Sequence, residues 1–397
     1  MAVKVALIGA RLNANLGGPS LLLSSIKAIR NYDENAVIKY LTPAGEIERD
    51  NKLADLYGVE VLPMEENFLT LGGLIYRLFH WFPFHGHRKS HYALKDADVI
   101  IDVWGIMFTD FLGKNTLINR VREGLRLALG RIYKTPMVKA TSAMGPFELK
   151  WNKRLASFYL KYCVDAVITR DEKSFTEVQN IGINSNLYIA PDTAFLLPAE
   201  QMPPVFDDQT YDNVLISVSH QARSRANDNE FYVNTFSTFI KNIITRYNAN
   251  VTLLPNAVVA EDDDLKIAQA IGKLVDSEQC QVFNPIALSA MQIKGLISQA
   301  TVVVASRYHT VIAALSLGKP TITVGWHHKY KGVLGLFGLG EWDIPVNTLE
   351  LDLLQTKFDK LWDERVELSA IIEKKLPAIK AEINSTFALV LSSILEE

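Results

Sequence analysis

The feature that most limits the fold of this chain is the alternation of short apolar runs with amphipathic segments. Runs rich in Val and Ile and bounded by turn residues are typical of buried strands in a parallel sheet. Segments such as 115–133 and 172–181 instead space their apolar residues as a helix does. Strands alternating with helices predict βαβ units and a mainly parallel sheet. The predicted strands of the first half are 4–8, 37–41, 59–62, 98–102, 137–141, 166–169 and 187–189.

A break in composition follows residue 197. Three prolines and several acidic residues fall within 198–210, which is typical of an interdomain linker. The alternation then restarts, so the chain predicts two α/β domains, 1–197 and 211–397. We expect two facing Rossmann-like sheets with a cleft between them, as in the B fold of glycosyltransferases. The final helical stretch, 365–395, is long enough to cross back to the first domain.

Composition excludes several classes of protein. The 397 residues are 48% apolar and 21% charged, as in ordinary globular enzymes, and the net charge of −3 gives no basis for nucleic-acid binding. Cys163 and Cys280 predict neither a disulfide framework nor a metal site. We find no signal peptide and no stretch apolar enough to span a bilayer. These features predict a cytoplasmic enzyme that needs no metal or cofactor.

Two cations and an imidazole follow neighbouring predicted strands of the second half. Arg307 and His309 come after the apolar run 300–304, and Lys329 comes after the run 321–324. Residues 310–317 predict a helix that ends at Gly318. Carboxyl ends of parallel strands share one edge, where open α/β sheets bind ligands. We therefore predict that the three residues are catalytic and hold a small phosphorylated anion. The alternative is a helix cap and a core histidine.

Three further groups are candidates for substrate binding. The glycine-containing loop after the first strand offers Asn15, Gly17 and Ser20 beside a helix start, although it lacks the G-x-G-x-x-G dinucleotide pattern. An ordinary glycine turn is the alternative there. The other candidates are Asp102, Trp104 and Asp110 at one strand end, and His220, Arg223 and Arg225 at another. Their alternatives are helix caps with a core tryptophan, and a solvated basic loop.

The segment 71–84 is apolar and aromatic, and His85, His87, Arg88, Lys89 and His91 follow it. Such a pattern is typical of an interfacial anchor, here for a lipid-linked substrate. A core-packed helix followed by a solvated loop is the alternative that the pattern favours. Peripheral membrane contact is therefore a second expectation for this chain.

At these residues the chain resembles the polysaccharide pyruvyl transferase family. The family signature is R-x-H at a strand end, then an apolar helix, G-x-P, a strand and a lysine. The matching positions are Arg307-Tyr308-His309, Gly318-Lys319-Pro320, Lys329, Thr169-Arg170-Asp171, Ala190-Pro191-Asp192 and Asn15-x-Gly17. The resemblance covers almost the whole chain and adds Arg170 and Asp192 to the predicted substrate-binding residues.

The resemblance implies transfer of a pyruvyl group from phosphoenolpyruvate to sugar hydroxyls of a cell-surface glycan or its lipid-linked precursor, as a ketal. By this similarity Arg307 holds the carboxylate or phosphate of the donor, His309 is the acid/base, and Lys329 lies near the leaving phosphate. The chain departs from the family at Gly18, at 102–105 and at 219–220. Two alternatives are a nucleotide-sugar glycosyltransferase of the same fold and a non-catalytic glycan-binding protein. The sequence predicts no oligomeric state.

Overall fold

The computed structural model describes residues 2–12, 16–110, 116–208, 210–226, 228–259, 262–327 and 329–396. The chain forms two compact units. Among the described residues, unit 1 comprises 2–12, 21–193 and 380–396, and unit 2 comprises 16–20 and 194–379. Each unit contains one parallel sheet, which confirms the predicted α/β class.

The sheet of unit 1 has the strand order β3-β2-β1-β4-β6-β7-β8, with β5 paired to β6. All its pairings are parallel. Every residue of its central strands β4, β6 and β7 is buried, as is typical of a parallel sheet covered on both faces. The strands are β1 (Lys4–Ile8), β2 (Val37–Thr42), β3 (Glu60–Pro63), β4 (Val99–Asp102), β5 (Ile106–Met107), β6 (Met137–Met144), β7 (Ala166–Thr169) and β8 (Leu187–Ile189).

Seven helices connect these strands. The predicted helical segments 115–133 and 172–181 agree with two of them to within one residue. The seven helices are α1 (Gly17–Tyr32), α2 (Ile47–Tyr57), α3 (Glu66–Phe79), α4 (Arg88–Lys95), α5 (Thr116–Tyr133), α6 (Lys150–Cys163) and α7 (Glu172–Asn180).

Unit 2 contains the parallel sheet β13-β10-β9-β14-β15-β16 and a small antiparallel pair, β11 with β12. Its strands are β9 (Asn213–Ser217), β10 (Asn250–Leu253), β11 (Val258–Val259), β12 (Asp262–Asp263), β13 (Cys280–Val282), β14 (Val302–Ala305), β15 (Thr321–Gly325) and β16 (Asp343–Pro345). Its helices are α8 (His220–Arg223), α9 (Asn229–Tyr247), α10 (Asp264–Val275), α11 (Ala290–Ser298), α12 (Tyr308–Leu315), α13 (Lys329–Gly335) and α14 (Leu351–Leu395).

The stretch predicted as a linker, 198–210, packs against unit 2. The backbone N–H of Glu200 donates to Met291 O at 3.0 Å, and Gln299 Nε2 donates to Pro203 O at 2.8 Å. The division between the units falls between Thr193 and Ala194, slightly before the predicted boundary. Because the stretch 198–210 is hydrogen-bonded to residues of α11 and to the residue that follows this helix, it is part of the second unit.

Helix α14 is much longer than the predicted stretch 365–395, and its residues from Lys380 onward belong to unit 1. By length and composition it qualifies as a membrane-span candidate among the described residues, contrary to the expectation from sequence. Ile383, Phe387 and Leu391 are buried at four-residue spacing, as on one face of a helix that packs against a domain. Asn384 accepts a hydrogen bond from Asn31 of α1 at 3.0 Å.

We expect Gly295→Ala to destabilise the protein. A Cβ there would lie 1.9 Å from the backbone oxygen of Glu200, so α11 or the stretch that it carries must shift. Overpacking of this kind costs about 1–3 kcal/mol. Gly332→Ala in α13 is the matched control, because nothing lies within 4 Å of the added Cβ. Urea denaturation measures both, and equal stabilities would contradict the packing described here.

Candidate functional site

Arg307, His309 and Lys329 lie at the carboxyl ends of two adjacent parallel strands of unit 2. Ala305 at the end of β14 is paired with Thr323 of β15. Helix α12 begins at Tyr308, two residues earlier than predicted, so Arg307 is its N-cap and His309 lies in its first turn. Lys329 begins α13. The Nζ of Lys329 is 5.0 Å from the centre of the Tyr308 ring. The centre of the His309 ring is 5.4 Å from the centre of the same tyrosine ring. The structure therefore brings Lys329 and His309 beside the Tyr308 ring, and places Arg307 at the strand end that precedes it.

The orientation of Arg307 is fixed by Asp264, a residue that sequence reasoning missed. Arg307 Nε donates to Asp264 Oδ2 at 2.7 Å and Nη2 donates to Oδ1 at 2.6 Å. The Asp264 side chain is fully buried, and 14% of the Arg307 side chain is exposed. This bidentate pair uses two of the five N–H donors of the guanidinium, so the others point in a fixed direction.

Backbone donors complete the surroundings of the Asp264 carboxylate. Oδ1 accepts the N–H of His220 at 2.8 Å, and Oδ2 accepts the N–H groups of Asn256 at 3.3 Å and Ala257 at 3.0 Å. The predicted site residue His220 therefore lies beside Arg307. In the sequence Asp264 is the last of four consecutive acidic residues, 261–264, at a helix start. The third, Asp263, caps α10, and because capping is the usual role of such residues, the sequence did not indicate the different role of Asp264.

Two buried tyrosines hold the turn that carries Arg307. Tyr330 donates to the backbone oxygen of Ser306 at 2.8 Å, and the hydroxyl of Tyr232 lies 3.0 Å from Ser306 Oγ. Burial raises the pKa of both tyrosines, so both hydroxyls stay protonated. The strand end is therefore rigidly placed before any ligand binds.

Trp326 lies between two cations beside this cluster. The Arg225 guanidinium is 4.4 Å and the Lys329 Nζ 4.9 Å from the centre of its ring, within the range of cation–π attraction. A pocket next to the ring is also lined by Lys331 and Asp343. Of the two candidate arginines, Arg225 lies beside Trp326 with Lys329. Arg223 Nε instead donates to the backbone oxygen of Asn229.

The loop after β1 serves the helix that follows it. Gly17 begins α1, and Ser20 is buried with its hydroxyl donating to Leu16 O at 2.5 Å. Ser20 is therefore a helix-start residue and not the ligand donor that was predicted. Leu16 N–H donates to Asn256 Oδ1 at 3.0 Å, which connects this loop to the surroundings of Asp264. Asn15 lies outside the described residues.

Asp102 is not available as a base or as a sugar ligand, contrary to the prediction. Its carboxylate is fully buried and pairs with Arg126 Nε and with Lys139 Nζ, the latter at 2.8 Å. Burial alone raises the pKa of Asp102, but Arg126 and Lys139 outweigh it and lower the pKa to about 2. Asp102 is thus a permanently charged structural residue.

Three other predicted ligands also have structural partners. Asp110 accepts the N–H groups of Glu148 and Leu149, at 2.6 and 3.0 Å, and so holds the start of α6. Arg170 Nη1 pairs with Asp192 Oδ2 at 3.1 Å, with both side chains almost fully buried. Their motifs predicted that all three lie at strand ends. The sequence could not show that their charged groups bind other groups of the protein.

A pocket at the carboxyl edge of unit 1 contains Trp104, the predicted stacking residue. Residues 9–11, 41, 43 and 64–67, which follow β1 to β3, line it together with Arg122 and Arg126 of α5. Trp104 is 36% exposed, and the Arg126 guanidinium lies 5.7 Å from its ring centre.

The same pocket contains the carboxyl group of Glu66, whose Oε1 is 3.6 Å from Arg126 Nη1. Burial and then the charge of Asp102 raise the pKa of Glu66 against the opposing effect of Arg126. Sequence analysis missed Glu66 and Arg126, because both lie on helices.

Comparison with known proteins agrees with this architecture. The sequence model of the family described as polysaccharide pyruvyl transferase matches residues 15–328. The amylovoran biosynthesis protein AmsJ of Erwinia amylovora is 22% identical over 316 residues, which cover 76% of this chain and 74% of AmsJ. Across the described ranges, no group of three His, Cys, Asp or Glu side chains is placed to hold a metal ion.

Solved structures share the fold at low sequence identity. A UDP-N-acetylglucosamine 2-epimerase superposes with a TM-score of 0.64 at 10% identity, covering 99% of this chain and 95% of that one. HepE of Anabaena, solved with UDP and glucose, gives a TM-score of 0.61 at 15% identity, covering 98% and 100%. These similarities confirm the two-sheet architecture of B-type glycosyltransferases and, at such identities, concern the fold alone.

We expect Asp264→Ala to cost about 3–5 kcal/mol in the free energy of unfolding, because it leaves Arg307 without its buried carboxylate. The adjacent Asp263→Ala removes only a helix cap and costs about 1 kcal/mol. Urea denaturation at pH 7 compares the two variants. If Asp263→Ala is the more destabilising of the two, Asp264 is not the residue that orders this edge.

Asp102 predicts a pH dependence of stability. Its pKa of about 2 in the folded protein is below the ordinary value of about 3.9, so the stability that it contributes is present above pH 4 and is lost as the pH falls toward 2. Urea denaturation of Asp102→Asn and of the wild type from pH 6 to pH 3 measures this difference, which we expect to shrink at the acidic end. The matched control is Glu60→Gln, from an exposed pair with Lys39, with an effect of about 0–1 kcal/mol. A difference that grows on acidification would contradict the ion-paired state.

Proposed function

Because the chain belongs to the polysaccharide pyruvyl transferase family, we propose that it transfers a pyruvyl group from phosphoenolpyruvate to hydroxyls of a cell-surface polysaccharide precursor. The chain is a transferase of polysaccharide biosynthesis, in agreement with its similarity to AmsJ. The observation that supports the donor assignment is that Lys329 and His309 lie beside Tyr308 and that Arg307 caps the same helix. Phosphoenolpyruvate is a cytoplasmic metabolite, so the proposal includes a cytoplasmic location.

The charge of the donor matches this cluster. Phosphoenolpyruvate carries a phosphate and a carboxylate, together about −2.5 to −3 at neutral pH. Arg307, already oriented by Asp264, offers a planar set of donors suited to either group, and Lys329 offers a point charge beside it. Fixed cations of this kind stabilise charge on the leaving phosphate without reorganising during the reaction.

The proposed reaction forms two C–O bonds at C2 of the enolpyruvyl group and releases its phosphate. A proton adds to C3 of the enolpyruvyl group, which places positive charge on C2. One sugar hydroxyl forms a C–O bond to C2 and loses its proton, and the C2–O bond to phosphate breaks. A second hydroxyl of the same sugar forms the other C–O bond and completes the ketal. Its proton passes to the departing phosphate, which leaves as inorganic phosphate, while the proton of the first hydroxyl replaces the one given to C3. His309, in the first turn of α12, is the proposed proton carrier.

The proposed acceptor site is the pocket of unit 1. The Trp104 ring offers an apolar face for a sugar ring, and the carboxyl of Glu66 offers hydrogen bonds to its hydroxyls. Both groups lie at the carboxyl edge of the unit 1 sheet, as ligand-binding groups of open α/β sheets do. Because the Asp102 carboxylate is buried in its ion pairs, we assign this role to the Glu66 carboxylate, which lines the pocket and lies beside Arg126.

A nucleotide-sugar glycosyltransferase is the second candidate, and one observation favours it. The pocket beside Trp326 combines an aromatic ring with Lys331, Arg225 and the carboxyl of Asp343, groups that suit a base, a diphosphate and a ribose. The related fold of HepE was solved with UDP and glucose. Binding of a uridine nucleotide discriminates this candidate from the pyruvyl transferase.

We expect phosphoenolpyruvate to raise the thermal stability of the protein, by about 2.7 kcal/mol at a hundredfold excess over Kd. Lys329→Met removes the charge beside Tyr308 and keeps an apolar side chain of similar length, so we expect it to lose most of this shift. His309→Gln keeps the shift and loses about 10²–10⁴-fold in phosphate release with acceptor present. Differential scanning fluorimetry and phosphate release measure the two effects.

Trp104→Leu is the control, since its pocket is proposed for the acceptor. We expect it to keep the full shift with phosphoenolpyruvate. A shift with uridine or guanosine sugars in place of phosphoenolpyruvate would overturn the donor assignment in favour of a glycosyltransferase. A shift that Lys329→Met leaves intact would move the donor away from the 307–329 cluster.

A further inference from the structure

Helix α3 has two apolar faces, and only one of them packs against unit 1. On the inner face, Gly72 and Gly73 let the helix lie close to its neighbours. A Cβ at Gly72 would be 2.2 Å from the Phe82 ring, and one at Gly73 would be 2.6 Å from Ile132 of α5. Leu69 is fully buried on the same face. The inner face therefore accounts for the folding of α3 without help from the outer face.

The outer face exposes large apolar side chains in one stripe. Leu71, Leu74 and Leu78 recur at i, i+3 and i+7 and are 53%, 44% and 73% exposed. Phe79 and Trp81 continue the stripe at 71% and 56%. Single exposed leucines are ordinary, but a contiguous stripe ending in exposed aromatic residues marks an interaction surface. We call these five residues the α3 outer face.

The full charges within residues 67–95 have one sign, although Glu66 precedes this segment and Asp96 follows it. Residues 67–95 contain Arg77, Arg88, Lys89 and Lys95 and no Asp or Glu, in a chain whose net charge is −3. All four basic residues are exposed. Four of the eight histidines of the chain also lie in this segment. A partner that matches both features must be apolar at its centre and negatively charged at its surface.

We propose that the α3 outer face inserts into the surface of a bilayer that contains anionic phospholipid. Interfacial helices bury an apolar stripe at the level of the headgroups, aromatic residues favour that level, and each nearby Lys or Arg adds attraction to anionic lipid. The one-sided basic charge favours a lipid surface over a second copy of this chain, because two like-charged faces would repel each other.

Helix α3 connects the α3 outer face to the pocket proposed for the acceptor. Glu66 is the first residue of α3 and lines the pocket that contains Trp104. Thirteen residues of helix separate Glu66 from Phe79, a length of about 20 Å. Docking would therefore hold the pocket within about 20 Å of the headgroups, a reach that suits a lipid-linked saccharide. This step rests on the acceptor site proposed above, whereas the docking itself does not.

Co-sedimentation with vesicles of phosphatidylcholine alone, and with about one third phosphatidylglycerol added, tests the proposal. We expect the wild type to sediment with the anionic vesicles and the double variant Leu74→Ser with Leu78→Ser to bind at least about tenfold more weakly. The matched control is Leu274→Ser with Ile286→Ser, which alters apolar residues of unit 2 that are 46% and 58% exposed. We expect this control to bind as the wild type does. Arg88→Glu with Lys89→Glu should weaken binding to anionic vesicles about tenfold or more.

A second measurement locates the contact. Vesicles with brominated acyl chains should quench the fluorescence of Trp81, and Trp81→Phe should lose that quenching while it still sediments. Absence of vesicle binding, or binding that the Leu74→Ser and Leu78→Ser changes leave intact, overturns the proposal. A dimer in sedimentation equilibrium without vesicles that these changes dissociate also overturns it in favour of a second copy. The thermal shift with phosphoenolpyruvate is measured on the same variants, so that failure of membrane docking and failure of the proposed function remain separate results.

Discussion

The bidentate pair between Asp264 and Arg307 is the contact on which the edge of unit 2 depends. The carboxylate receives two N–H groups from Arg307 and three backbone N–H groups, from His220, Asn256 and Ala257. These donors come from the ends of separate strands and the starts of separate helices. A buried carboxylate is costly unless each of its lone pairs has a donor, and here five donors meet that cost. One ion pair thus aligns the elements from which the proposed donor site is built.

Unit 1 uses the same physical solution at the corresponding edge. Asp102 ends β4 and is buried between Arg126 and Lys139. Lys139 also donates to the backbone oxygen of Trp104 at 2.7 Å, so the charge pair fixes the loop that presents the indole ring. In both units a buried carboxylate positions a more exposed neighbouring group: Arg307 in one and Trp104 in the other. The carboxylates themselves are scaffold.

Sequence reasoning recovered the fold because the parallel strands are short, apolar and separated by amphipathic helices. The bounds of β1 and β8 agree with the prediction to the residue. It also placed Arg307, His309 and Lys329 after adjacent strands, where the structure has them; their catalytic roles stay a prediction. It assigned ligand roles to Asp102, Asp110, Arg170 and Asp192 and did not foresee that each has a partner within the protein, because a sequence gives the type and position of a charge but not its partner. Asp264 was missed for the same reason, since an acid at a helix start is ordinarily a cap.

The pairing of Arg307 with a buried carboxylate also bears on how this arginine would change during evolution. Loss of Arg307 alone would leave Asp264 charged and buried, a fault in folding that selection removes whether or not the protein is an enzyme. A descendant that abandoned catalysis would therefore retain the arginine, and replacing it would require a simultaneous change at Asp264. His309 is under no such constraint from Asp264. If His309 carries the proton as proposed, its loss, rather than that of Arg307, would identify a copy that had lost catalysis and kept its fold.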